Sequence, residues 1–346
     1  MKSHLQKVIY FLFPAIFFGC ATDERRSVVV YSPHGKEMLT EFEQRFEAIN
    51  PDIDIKWLDM GSQEIFERIR TERENPQADI WWGAPATIFM QAEKMDLLEI
   101  YKPSWADKIS DNHKSKEGGW YGTFLTPEVI AYNTNFLTAE TAPQDWSELI
   151  NPIWKGKIVI RNPVASGTMR VIYCSIIAGA VTKTGSEEEG WNWLRSLDVN
   201  TVAYTADPAQ MYLRLASADS PVTLWNMPDI ILQSRTYNYP FGYIFPKSGT
   251  VVLTDGIALI KNSKNQEAAK KFYEFITTEE SLILQAEKYF RIPARNDLDK
   301  SRLPEWIQDA SFEEKEIDWQ LLSDNESDWM RKWENEIKGK GSDALR

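Results

Sequence analysis

The sequence predicts an α/β protein of two domains, and three observations carry that reading. Apolar, β-branched runs alternate with segments of helical periodicity through the first hundred residues, and a second such alternation begins near Pro127. The chain, at 346 residues, is also longer than one hydrophobic core ordinarily organises. Strand–helix alternation implies a sheet with right-handed crossovers, in which ligands bind beyond the carboxyl ends of the strands.

The chain opens with Lys2 and Lys7 ahead of an acid-free hydrophobic run, 8–19. That run is too short to span a bilayer but suits the apolar region of a secretory leader. Phe17-Phe18-Gly19-Cys20 resembles a bacterial lipoprotein processing site, in which the cysteine is lipidated and becomes the new N-terminus, although that motif usually carries Leu and a small residue where the two phenylalanines stand. The alternative is an ordinary signal peptide cut nearby, with Cys20 incidental. Lipidation is preferred because Gly-Cys closes a well-formed leader. Residues 1–19 are then the leader and 20–27 a tether. Removing the leader with its two lysines leaves 327 residues and takes the net charge from −12 to −14.

The elements follow in order. Residues 28–31 form a β-branched run ended by Ser32-Pro33-His34-Gly35, a turn signal. Met38, Leu39, Phe42, Phe46 and Ile49 recur at helical spacing over 36–50, and Pro51 stops that helix. Ile53, Ile55 and Trp57 alternate with charged residues as a second strand, and Gly61-Ser62-Gln63 opens a helix over 63–74. A third strand, 78–82, leads through Gly83-Ala84-Pro85 into a helix over 86–95. In the second unit, 128–132 and 157–161 read as strands and 142–149 as a short helix, and Asn162 to Thr168 feeds a helix from Met169. Further strands are expected at 201–204, 222–225, 243–245 and 251–260, and amphipathic helices at 266–276 and 280–289. The tail from 301 is acidic and carries Trp306, Trp319, Trp329 and Trp333, which are expected to pin it to a lobe.

Composition excludes several classes of function. An acidic chain lacks the clustered Lys and Arg of a nucleic-acid surface. With Cys20 at the cut, Cys174 alone remains, so no intramolecular disulfide framework forms, and Cys174 reads as a small core hydrophobe. His34 and His113 are the only histidines after the leader, and neither lies in a nucleophile motif or at metal-ligand spacing. No enzyme is expected and no cofactor.

Six segments together resemble the solute-binding proteins of bacterial ABC importers, in the branch that holds the ferric-ion, thiamine and aminoethylphosphonate binders. They are Val28-Val29-Val30-Tyr31-Ser32, Asn75-Pro76-Gln77-Ala78-Asp79-Ile80, Pro152-Ile153-Trp154-Lys155-Gly156-Lys157, Ser166-Gly167-Thr168, Asp255-Gly256-Ile257-Ala258-Leu259-Ile260-Lys261 and Glu267-Ala268-Ala269-Lys270-Lys271-Phe272. Each is weak alone; their order over most of the chain is what makes the likeness. The resemblance implies a type II periplasmic-binding-protein fold, two α/β lobes of mixed, mostly parallel sheet hinged by crossover strands and closing around a solute. Lobe 1 would comprise 28–125 plus about 247–300, lobe 2 would comprise 126–246, and the tail, 301–346, would pack on a lobe. The resemblance further implies an ABC permease and ATPase as partners, a monomer, and a periplasmic or cell-surface location, with the membrane reached through the lipid anchor.

In ferric members of this family a histidine, a glutamate and a tandem tyrosine pair hold the metal. His34 matches the first, but Ala84 stands at the glutamate and Met227 and Pro228 at the tyrosines. No metal site is therefore expected, and His34 is either a cleft residue or a plain turn residue. What remains is an inventory for an anion. Ser166-Gly167-Thr168 and Gly61-Ser62-Gln63 each offer backbone N–H groups and hydroxyls at a helix start, which is also how routine N-caps look. Arg170 would add a positive charge or form a surface ion pair. Ser32, Tyr204, Trp225 and Asn226 lie near these loops, and Asp255 either meets an ammonium group or marks a bulge. The expected ligand is a small anionic or zwitterionic solute of phosphonate, phosphate-ester or carboxylate type; a ferric or sugar ligand, or a secreted hydrolase, are the alternatives.

Overall fold

The structure, a computed structural model, describes residues 25–308 and 310–340. The leader and Cys20 lie outside the described residues. Among those described, no helix is long and apolar enough to cross a membrane.

The first unit runs β1 (Arg26–Ser32), α1 (Lys36–Ile49), β2 (Ile53–Asp59), α2 (Ser62–Thr71), β3 (Ile80–Pro85) and α3 (Ala86–Lys94). A long strand, β4 (Tyr121–Asn133), leads to the second unit: β5 (Ile158–Arg161), α4 (Gly167–Thr184), α5 (Glu188–Asn200), β6 (Thr201–Thr205), α6 (Pro208–Leu215), β7 (Val222–Asn226), α7 (Met227–Tyr237) and β8 (Phe241–Ile244). The chain then returns through β9 (Val252–Leu259), α8 (Gln266–Ile276), α9 (Glu279–Tyr289), β10 (Ile292–Pro293), α10 (Glu305–Gln308) and α11 (Trp319–Glu336). The helix expected over 142–149 is instead a 3-10 turn at Trp146–Ile150, started by Asp145, whose carboxylate accepts from the Ser147 N–H.

The strands lie in the order β2-β1-β3-β9-β4-β7-β5-β6, with β8 and β10 pairing to β4. Pairing is parallel at both ends, where β1 meets β2 and β3 and β5 meets β6 and β7. It is antiparallel in the middle, where β9 pairs with β3 and β4 and where β4 runs on from the first half to pair with β7. Residues Tyr121 to Pro127 of β4 pair with β9, and Glu128 to Tyr132 pair with β7. One continuous strand thus serves both half-sheets.

Each half has its own core. Val28, Phe42, Phe46, Ile80, Trp82 and Phe272 pack on one face of the first half-sheet, and Tyr31, Ile65, Trp81 and Phe89 on the other. The adjacent tryptophans Trp81 and Trp82 point to opposite faces, as strand alternation requires, and both are fully buried. In the second half, Val129, Ile158, Cys174, Trp191 and Leu224 share a core with Leu322, Trp329, Met330 and Trp333 of α11. The tail helix therefore belongs to the second core, and it also reaches the first half. The Ser323 hydroxyl donates to the Thr87 carbonyl (3.1 Å), and Lys94 pairs with Asp324.

Candidate functional site

The loops at the carboxyl ends of β1, β2, β3, β5 and β7 converge between the half-sheets, around a cavity of about 120 Å³. Each is placed by a local device. After β1, Pro33 turns the chain and the His34 N–H donates to Ser32 Oγ (3.2 Å). After β5, Asn162 Oδ1 accepts from the Val164 N–H (3.1 Å), and Ser166 caps α4 by accepting from the Met169 N–H (3.3 Å). After β7, Asn226 caps α7 by accepting from the Asp229 N–H (2.9 Å) and donates from Nδ2 to Asp229 Oδ2 (2.9 Å). Three helix starts, those of α2, α4 and α7, thus border the cavity with the positive ends of their dipoles.

Contacts across the cleft are direct. A Cβ on Gly167 would lie 2.9 Å from the Pro85 ring and 3.4 Å from Ser62 Oγ, and one on Gly61 would lie 3.5 Å from the Ala165 carbonyl. The loops of the two halves are in contact, and the cleft is shut.

Two arginines border the cavity. Arg161 ends β5, and Arg291 follows α9 and contacts Asp229 (3.4 Å) while lying 5.9 Å from the centre of the Phe124 ring. Among the described residues, the Nε atoms of both arginines are buried without a hydrogen-bond partner, as is His34 Nε2. Buried polar groups are rarely left this way unless a water or ligand serves them. Burial pushes Arg161 down from the usual guanidinium value. Burial, and then the nearby Arg291, hold His34 well below the usual histidine value, so its imidazole is neutral. Its ring packs edge-on to Trp82 and Phe124 and over Gly83, where φ is 99° and a Cβ would meet the imidazole at 2.3 Å. Beside the arginines stand Asp255, which accepts from the Thr126 hydroxyl (2.5 Å), and Asp229. Burial raises Asp255 above the usual carboxylate value.

Of the residues singled out in the sequence, His34, Gly61, Ser62, Ser166, Gly167, Thr168, Trp225, Asn226 and Asp255 line this cavity. The other five lie elsewhere. Ser32 stands behind His34 and is fully buried; Gln63 is one residue too far into α2; and Ala84 faces the core with Ile65 and Phe89. Arg170 turns away, donating to the Val164 carbonyl (2.9 Å) and facing Glu326 of α11 at 3.7 Å. Tyr204 donates to Asp198 (2.6 Å) and packs against Trp333. Trp225 is a buried, tethered residue rather than an open stacking wall, its Nε1 donating to the Tyr212 hydroxyl (3.0 Å) and to Asp229 (3.2 Å). The register shift near Asp255 lies in the opposite strand, between Gly122 and Phe124 of β4, while Asp255 and Gly256 of β9 are paired consecutively.

Arg161, Asp229, Arg291, Thr126, Pro33, Pro85 and Pro208 line the cavity as well, beyond the residues singled out in the sequence. Arg161 carries a usable signal, since it ends an expected strand just before a glycine-bearing helix start. Arg291 carries none, because only the return of the chain after α9 brings it to the cleft.

A shut cleft between two half-sheets joined by crossing strands defines a type II periplasmic binding protein. The chain belongs to the family described as bacterial extracellular solute-binding protein, whose model matches residues 75–318. It is 26% identical over 315 residues to the Sinorhizobium fredii protein named "Probable ABC transporter periplasmic-binding protein y4fP", covering 90% of this chain and 87% of that one. It is 24% identical to "Iron uptake protein A1" of Synechocystis, over 78% of this chain and 76% of the other. Among solved structures, the periplasmic binding protein AfuA of Actinobacillus pleuropneumoniae, with fructose-6-phosphate bound, matches with a TM-score of 0.77 at 25% identity, covering 90% of this chain and 98% of that one.

Proposed function

We propose that this protein captures a small anionic solute for an ABC importer by closing two lobes around its oxyanion. The lobes are 28–125 with about 247–300, and 126–246, and the tail docks on the second. The observation that carries the reading is the pair of buried, unpartnered guanidinium nitrogens of Arg161 and Arg291 in a cavity also bordered by three helix starts. Both nitrogens are donors without an acceptor among the described residues. The phosphorylated sugar bound by AfuA supports a phosphate-like head, and the cavity volume of about 120 Å³ disfavours an oligosaccharide. A membrane anchor at Cys20 and a permease–ATPase partner complete the proposal.

A ligand screen by thermal shift and tryptophan fluorescence tests it. Phosphate esters, phosphonates or carboxylates should raise the melting temperature of the wild type, and Arg161→Met should lose that shift. Stabilisation by ferric salts alone would overturn the anion reading.

A further inference from the structure

The tail helix α11 makes contacts that holding a solute does not call for. It is anchored in the second half. Leu322, Trp329, Met330 and Trp333 lie in that core, Trp329 donates to Glu187 (2.8 Å), and just past the helix the Gly339 N–H donates to Asp198 (2.9 Å). Its first turns, however, lie along α3 of the first half, where Ile88, Phe89 and Ala92 pack with Ile65 and Trp81. Across this seam the Ser323 hydroxyl donates to the Thr87 carbonyl (3.1 Å), Gln91 Nε2 donates to the Ser323 carbonyl (3.1 Å), and Lys94 pairs with Asp324. Thr87 and Ser323 are both buried there.

The seam is tied to the cleft contact on both sides. Thr87 follows by two residues the Pro85 that meets Gly167. Gly167 in turn starts α4, whose Arg170 faces Glu326 of α11 at 3.7 Å. So α3 is continuous with one side of the cleft contact, and α11 is fixed to the other. A hinge motion that parts Pro85 from Gly167 parts Thr87 from Ser323 as well, and closing restores both. The two contacts differ in place. Pro85 and Gly167 border the cavity, whereas Thr87, Gln91, Lys94, Ser323 and Asp324 are not among the residues lining it. The seam therefore favours the shut state with or without a solute, and affinity follows the fraction of protein held shut.

We propose that α11 is an interlobe latch: carried by the second half, it seats on α3 only when the cleft shuts, and it sets the open–shut balance, and so the affinity for solute, from outside the cavity. This rests on the closing of two lobes and not on which solute they hold.

Small-angle scattering from the solute-free protein tests it, with the wild type beside S323L. Leucine is too large for the buried serine site and should wedge α3 from α11, while Trp329 and Trp333 keep the helix in the second core. The wild type should show the radius of gyration of the shut structure, and S323L a larger one with a cooperative melting transition retained. In calorimetry with ethyl phosphate as the probe, S323L should bind about tenfold more weakly, although position 323 lies outside the cavity. Equal radii in the two proteins, whether compact or expanded, would overturn the latch. Should S323L fold poorly, the double variant Q91A/K94A serves, since it removes two contacts of the seam without adding bulk. Its radius should also exceed that of the wild type, and an equal one counts against the latch. Failure of ethyl phosphate to bind any of these proteins would count against the anion reading, and the radii would still decide on the latch.

Discussion

Gly167 and Pro85 meet across the cleft with no space between them for a methyl group: a Cβ on Gly167 would lie 2.9 Å from the proline ring. Gly167 is the first residue of α4 and Pro85 the last of β3, so the contact joins the two halves directly. Closure therefore depends on the absence of a side chain at position 167.

Gly167→Ala should hold the cleft ajar. Alanine is a better helix residue than glycine, so the melting temperature of the free protein should stay the same or rise slightly. Affinity for the solute should fall by about tenfold or more, since the loops would no longer pack around it. Titration beside a thermal melt checks both parts. Unchanged affinity would mean that the solute is held without this contact.

The two arginines of the β5–α4 region should part company on mutation. Arg170 faces the fully buried Glu326 and contributes to joining α4 with α11. Arg170→Met leaves that carboxyl without its cation and should destabilise the fold by about 3 kcal/mol, with solute affinity retained in the folded fraction. Arg161→Met should do the reverse, removing affinity at little cost in stability, because its Nε has no partner to lose among the described residues. Chemical denaturation and titration on both variants separate the two roles; a loss of affinity in the Arg170 variant alone would contradict them.

The contrast between those arginines also shows how far the sequence can be read. Local chemistry marks a helix start, so Ser62, Ser166, Gly167 and Asn226 are legible as candidates from their spacing after expected strands. Side-chain direction within a helix is set by tertiary packing. Arg170, in the first turn of α4, looks as suited to an anion as Arg161 does, and only the docking of α11 turns it away, by bringing Glu326 against its guanidinium. Tyr204 is drawn from the cleft for the same reason, toward Asp198 and Trp333. Arg291 reaches the cleft only because the chain returns there after α9, a long-range arrangement that leaves no periodic trace.

The tail gives a third expectation. Trp333 is fully buried and packs edge-on against Tyr173 and Tyr204, and Trp329 donates to Glu187 (2.8 Å). Trp333→Ala should cost about 3–5 kcal/mol, the range for emptying a large aromatic site. The loss should appear as a lowered denaturant midpoint with an unchanged slope, since the second half keeps its remaining core. A cost near zero would mean that α11 rests on the surface of the second half without contributing to its core.

The acid limb of stability should belong in good part to His34. Its Nε2 is buried without a partner among the described residues, and the affinity of the ring for a proton is lowered, first by burial and then by Arg291. A base depressed in the folded state contributes stability that is present above its ordinary value of 6.5 and is lost as pH falls below it, because the unfolded chain then binds the proton more readily. Glu128 and Asp255, both raised, act with the opposite sign and favour the fold toward low pH, so they do not produce this loss. His113 is lowered by burial as well and contributes its own share. The melting temperature of the wild type should therefore fall between about pH 7.5 and pH 5.5, the interval that brackets the ordinary histidine value. His34→Gln should start lower, having lost the ring contacts to Trp82 and Phe124, but should fall less steeply over that interval, with the residual slope left by His113. Parallel slopes in the two proteins would show that His34 is free to take up a proton in the shut cleft.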